Sequence, residues 1–144
     1  MGVLRVGICD DGSAICSEIE RIVKEYGKKH DLRLDTEMWS TGEALVDYLE
    51  DGNAIDLLFL DIDLITTSGV DIGQYIRHRL NNYSMKIVFI SANTTYAMSL
   101  FDIMPMNFLV KPLVKSKVEE CLDLAVMFLV KEEKVFQCKV AGKT

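Results

Sequence analysis

The chain has 144 residues, 49% of them hydrophobic, which fits one globular domain with an ordinary core plus a short appendage. Its net charge of -6 argues against general nucleic-acid binding by this segment, because that affinity comes largely from Lys and Arg neutralising phosphates. The cysteines, Cys9, Cys16, Cys121 and Cys138, lack CxxC or Cys/His metal spacing, and the longest apolar helical stretch, Leu124 to Val130, is far below the ~20 residues of a membrane span, so a cytoplasmic chain without membrane contact is expected.

Val3-Leu4-Arg5-Val6-Gly7-Ile8-Cys9 predicts a first strand that ends in the acidic pair Asp10-Asp11, where Gly12 and Ser13 open a helix. Ile15, Ile19, Ile22 and Val23 recur at helical spacing to near Lys29, and Leu32 to Trp39 then alternates as a second strand. Ser40 with Glu43 has the form of a capping box for a helix through Leu49. Leu57-Leu58-Phe59-Leu60-Asp61 follows Gly52-Asn53 and reads as a strand buried on both faces that stops abruptly at a carboxylate. Ser68 with Asp71 can cap a helix carrying Ile72, Ile76 and Leu80, with Arg77, His78 and Arg79 expected on its solvated face. His30 is likewise expected at the surface. Lys86-Ile87-Val88-Phe89-Ile90 predicts a fourth strand ending in Ser91-Ala92, and Thr94 to Phe101 is weakly helical. Met106 to Val110 predicts a fifth strand that stops at Lys111-Pro112, before a final helix carrying Val118, Leu122, Ala125, Val126 and Leu129. Beyond the charged break Lys131-Glu132-Glu133-Lys134, Val135 to Val140 alternates as a strand.

Five alternations of apolar run and helical period are the signature of an α/β fold, a parallel sheet with helices on both faces. Such a sheet presents the carboxyl ends of its strands along one edge, where ligands bind. That edge would gather Asp10, Asp11, Asp61, Ser91 and Lys111. Singly these signals are weak, since an acidic pair after a strand is commonly a turn and Lys-Pro is commonly a loop. Together they define a site: converging carboxylates repel unless a cation joins them, and oxygen-only ligands suit Mg²⁺. With Lys111 nearby, an Asp61 oxygen could attack phosphorus to give an aspartyl phosphate, and the Ser91 hydroxyl could donate to the phosphoryl group.

Val6-Gly7-Ile8-Cys9-Asp10-Asp11, Leu58-Phe59-Leu60-Asp61, Gly69, Phe89-Ile90-Ser91-Ala92 and Phe108-Leu109-Val110-Lys111-Pro112 together resemble the receiver domain of two-component response regulators, over about residues 3 to 130. The resemblance implies a doubly wound, five-stranded parallel sheet of order 2-1-3-4-5, the flavodoxin-like receiver fold. It implies a phosphoacceptor signalling domain rather than an enzyme, with Asp61 taking a phosphoryl group from a sensor histidine kinase. By the same carry-over Asp11 and Asp61 ligate Mg²⁺ with the backbone carbonyl of Asp63, Asp10 helps through water, and Lys111 pairs with the phosphate. The Lys111-Pro112 bond is expected to be cis. Ser91 and Phe108 match the family's switch pair, although Phe108, lacking a hydroxyl, would hold an inward position by packing alone or would simply be a core aromatic. Tyr96 could take part or be an exposed structural tyrosine. Receivers often pair as homodimers through the last helix, whose Leu122, Val126, Leu129 and Val130 are assigned here to the core.

One departure stands out. Many receivers carry proline four residues after the phosphoacceptor; here Ile65 precedes Thr66-Thr67-Ser68, so a less rigid loop is expected. Asp63 adds negative charge beside the expected phosphate and is expected to change the rate at which water removes it. The tail resembles the opening of a LytTR-type DNA-binding domain, though an edge strand or frayed terminus would look the same. The expected division is therefore a receiver over 1–130 and, over 131–144, a linker with the possible start of a truncated output domain, DNA being reached only through that missing part. Two other readings stand beside this one. Asp61-Ile62-Asp63 also fits the nucleophile motif of haloacid-dehalogenase-like phosphatases, but that motif normally lies on the first strand. A degenerate receiver acting as a protein-binding module would usually lack an acidic residue, the hydroxyl or the lysine, and all are present.

Overall fold

The leucine-, isoleucine- and valine-rich runs pair side by side into a five-stranded sheet, β1 (Leu4–Cys9), β2 (Leu34–Trp39), β3 (Leu57–Asp61), β4 (Lys86–Ser91) and β5 (Asn107–Val110). The structure is a computed structural model that describes residues 3–93 and 100–142, with side chains of the last helix described through Leu129. Every pairing is parallel and the order is β2-β1-β3-β4-β5, as expected. The helices are α1 (Ser13–His30), α2 (Gly42–Glu50), α3 (Gly69–Gln74), which runs on as a π-helical turn over Tyr75–Arg79, and α4 (Lys115–Gly142). Residues 100–103 form one tight helical turn; the expected helix from Thr94 lies mostly outside the described residues, as does Tyr96.

Strand alternation divides the core in two. Leu4, Val6, Ile8, Leu57 and Phe59 face α1 and α4, where they meet Ile19, Val23, Val118 and Leu122. Cys9, Leu58, Leu60, Ile87 and Phe89 face the other way, against Leu45 of α2 and Ile72 and Ile76 of the α3 segment. All five residues of β3 are buried, because this central strand has a helical layer on each side, and that is why its sequence is continuously apolar up to Asp61. Leu122 is fully buried, as expected of a core position. Among the described residues no helix is long and apolar enough to cross a membrane.

Three local expectations are corrected. The cap of α2 is Thr41, whose hydroxyl accepts from the Ala44 N–H at 3.2 Å, not Ser40. Glu43 does not fold back on the cap and instead accepts from the Thr66 hydroxyl at 2.8 and 2.6 Å. The tail is the second correction: residues 135–140 continue α4 instead of forming a strand. The Lys-Glu-Glu-Lys segment consists of strong helix formers and the next glycine is Gly142, so the backbone meets no break that would end the helix earlier.

Arg77 is the third. His78 and Arg79 are exposed as expected, but Arg77 is buried at 2% exposure. The π turn, marked by the Leu80 N–H donating to the Tyr75 carbonyl at 3.0 Å, turns Ile76 and Arg77 inward together. Burial of the guanidinium is compensated by carbonyls: Nε donates to Ile103 O at 2.7 Å, and one terminal nitrogen donates to Met85 O at 2.7 Å and Asn82 O at 2.9 Å. Arg77 thereby ties α3, the loop before β4 and the 100–103 turn to one point. Replacing it by Met strands these carbonyls in the core, so Arg77→Met is expected to cost about 2 to 4 kcal/mol in urea denaturation, whereas Arg79→Met should change stability by less than about 0.5 kcal/mol.

Candidate functional site: an acidic cluster at the carboxyl edge of the sheet

The parallel register aligns the strand ends. Cys9 is level with Leu60, Asp61 with Ile90, and Ser91 with Val110, so the residues that follow or end β1, β3, β4 and β5 meet on one edge. Backbone bonds carry the register into the loops: Asp10 N–H to Trp39 O at 3.1 Å, Ile62 N–H to Ile90 O at 3.0 Å, and Lys111 N–H to Ser91 O at 2.9 Å.

Asp10 and Asp61 are each 1% exposed, while Asp11 faces solvent. One carboxylate oxygen from each of the three lies within 4.8 Å of the others. Each buried carboxylate uses one oxygen on its own turn and turns the other to the cluster. Asp10 Oδ1 accepts from the Gly12 N–H at 2.8 Å, and Asp61 Oδ1 accepts from the Asp63 N–H at 3.0 Å. Lys111 Nζ lies 3.0 Å from Asp10 Oδ2 and 3.6 Å from Asp61 Oδ2. The shorter contact is an ion pair but not an aligned hydrogen bond, so Asp10 Oδ2 is buried without a hydrogen-bond donor. An orphaned carboxylate oxygen beside two further carboxylates fits a hard divalent cation.

Charge and burial set the proton affinities. Burial pushes the Asp61 carboxyl above its ordinary value; the Asp63 N–H and Lys111 oppose that shift, and the Asp10 and Asp63 carboxylates reinforce it. Burial works against the Lys111 ammonium, but contact with Asp10 and Asp61 outweighs it and holds its pKa above the ordinary lysine value. The thiols are inert by the same logic: burial pushes Cys9 up to about 12 and Cys121 up to about 11.

The loop after β3 is fixed by close backbone contact. Gly69 donates its N–H to Ile62 O at 3.0 Å, and a Cβ there would overlap the Asp61 carbonyl oxygen and approach Ile62 Cα at 2.8 Å. Only glycine allows α3 to start this near the end of β3. The Thr66 to Glu43 bonds tether the same loop to α2. Ser91 is fully buried, its hydroxyl donating to Asp63 Oδ2 at 2.8 Å and accepting from the Asn93 N–H at 2.9 Å. Phe108 is half-buried against the core face that contains Phe89 and Ile103. The Lys111-Pro112 peptide is cis. The sequence had singled out each of these residues except Glu43 and Thr66 as a pair, and the Ser91 to Asp63 bond; neither long-range contact has a local signal.

A carboxylate at the end of the central strand, an acidic pair after the first strand and a lysine after the fifth thus meet at one edge of a doubly wound sheet. The family model "Response regulator receiver domain" matches residues 6–123, and the chain belongs to that family. It is 27% identical over 120 residues to the sensory transduction protein LytT of Bacillus subtilis, covering 83% of this chain and 47% of that protein. It is 24% identical over 116 residues to the transcriptional regulatory protein LytR of Staphylococcus aureus, covering 81% and 44%. The chain thus spans under half the length of these curated relatives. Among solved structures, the response regulatory domain of protein mrkE from Klebsiella pneumoniae shares the fold, with a TM-score of 0.78, 21% identity and coverage of 89% of this chain and 99% of that one. The family is one of signalling domains rather than classical enzymes, and β3, not the first strand, carries Asp61, which removes the dehalogenase-like reading.

The raised pKa of Asp61 has a stability consequence. The folded chain binds this proton more tightly than the unfolded chain does, so stability falls as pH rises from the unfolded carboxylate value through the folded one, and the ionised protein at neutral pH carries the full penalty. Asp61→Asn is therefore expected to raise the urea midpoint at pH 7, with the difference from wild type shrinking as pH falls toward 4. Added Mg²⁺ should raise the wild-type midpoint more than that of the variant.

Proposed function

We propose that this chain is the phosphoacceptor domain of a two-component response regulator and that Asp61 accepts the phosphoryl group. The observation that carries this is the Lys111 ammonium set between the Asp10 and Asp61 carboxylates, at 3.0 and 3.6 Å, within a cluster of three acidic residues. An Asp61 carboxylate oxygen attacks phosphorus of a phosphohistidine, the P–N bond breaks, and the imidazole leaves with its electron pair and takes up a proton. The Asp63 N–H holds one Asp61 oxygen and so orients the other for attack. Lys111 stabilises charge on the phosphoryl oxygens. Mg²⁺, when bound by Asp10, Asp11, Asp61 and the backbone carbonyl of Asp63, supplies further charge neutralisation on those oxygens.

In this reading Ser91 donates to the phosphoryl group once it is in place, and the space it leaves is open to the Phe108 ring, altering the surface formed by β5 and α4. The donor is a sensor histidine kinase of the cytoplasm. The chain spans under half of the relatives' length, which supports a further domain in the whole protein; its assignment to the LytTR DNA-binding type, with residues 131–144 as its connection to the receiver over 1–130, rests on the sequence resemblance alone.

Intact mass after incubation with acetyl phosphate tests the reading. One phosphoryl group is expected on the wild type with Mg²⁺, and none without the metal or on Asp61→Ala. Uptake by Asp61→Ala at the wild-type level would overturn the assignment of the acceptor, and no uptake by the wild type would make the chain a binding module.

A further inference from the structure

We infer that Asp63 is a latch on Ser91, a competing acceptor from which the hydroxyl must be taken before the site can switch. The inference deepens the proposed function and rests on it only for the phosphoryl half of the competition.

Ser91 Oγ carries a single proton, and in this structure that proton is committed to Asp63 Oδ2 at 2.8 Å. The hydroxyl's acceptor side is also used, by the Asn93 N–H at 2.9 Å, so the Ser91 side chain is held on both sides. Asp63 is tied to the acceptor as well: its N–H donates to Asp61 Oδ1 at 3.0 Å. One residue therefore bridges the acceptor carboxylate through its backbone and the switch hydroxyl through its side chain. A hydroxyl-to-carboxylate bond is charge-assisted and stronger than a neutral one. The phosphoryl oxygens and the Asp63 carboxylate compete for the same proton, and the state in which Ser91 faces the phosphoryl group is reached only by breaking this bond. Asp63 is thus a positioning residue that biases the site toward the unswitched arrangement. Asp63 faces solvent, so the latch can open without unpacking the core, whereas Ser91 is fully buried.

Competition for one proton predicts coupling between the two residues, which a plain charge effect of Asp63 on the incoming phosphoryl group does not. The rate of phosphoryl uptake from acetyl phosphate with Mg²⁺ is compared among wild type, Asp63→Ala, Ser91→Ala and the double variant. Asp63→Ala is expected to speed uptake about tenfold when Ser91 is present and by less than about threefold when Ser91 is Ala, since a charge-assisted bond can be broken only where the hydroxyl exists. Equal factors in the two backgrounds would overturn the latch and leave only electrostatic repulsion. A second measurement needs no phosphoryl chemistry: three-bond couplings report the Ser91 χ1 rotamer in the unphosphorylated chain. One rotamer is expected in wild type and in Asp63→Asn, whose amide oxygen still accepts, and averaging over rotamers in Asp63→Ala. The same fixed rotamer in Asp63→Ala would refute the latch. Absence of uptake by the wild type would remove the proposed function while the rotamer result still decides the latch.

Discussion

Three carboxylates brought together at the end of a parallel sheet repel one another, and the Lys111 ammonium is what makes their convergence tolerable. Asp10 and Asp61 are almost wholly removed from water, where like charges interact strongly, and burial makes the ionised form of Asp61 costly. Lys111 reaches both from the end of β5, which is the far edge of the sheet from β2. It compensates the cluster only in part, since Asp10 Oδ2 still lacks a hydrogen-bond donor and Asp61 still holds its proton too tightly. That residual negative charge suits a divalent cation.

The sheet's contribution is alignment. A parallel strand order places every carboxyl end on one edge, and the strand order reverses between β1 and β3, the place where sheets of this kind bind ligands. Burial of β3 on both faces fixes Asp61 in position, because shifting the register by one residue would turn Leu58 and Leu60 out of one core and into the other. Gly69 then lets α3 begin against the backbone of Asp61 and Ile62. Asp61 is thus held by the packing of its strand and by the close start of α3.

Around this fixed centre, polar side chains join segments that lie far apart in the chain. Ser91 is held by Asp63, the loop after β3 by Thr66 on Glu43, and the turn at 100–103 by Arg77. Each links segments far apart in the chain through one side chain, an arrangement that can change state without disturbing the apolar layers. Arg77 differs from the others in being buried, and it sets the end of the segment that leads into β5 and Lys111.

The sequence determined the strands, their order of chemistry and the site. Continuous apolar runs stopping at Asp61, Ser91 and Lys111 are local patterns, and the rule that parallel strands share a carboxyl edge converts them into a cluster without coordinates. What the tertiary structure alone decided were partnerships. Arg77, in a charged trio beside His78 and Arg79, has the local pattern of a solvated face, and only the π turn and the distant carbonyls of Met85 and Ile103 turn it into a buried clamp. Ser91 and Asp63 are 28 residues apart, and Glu43 and Thr66 are 23 apart, so no periodicity joins them. The tail likewise alternates as a strand would, yet it continues α4, where its backbone bonds are satisfied within the helix. Periodicity records which side chains leave water; which polar atoms then meet is set by the packing of elements that lie far apart along the chain.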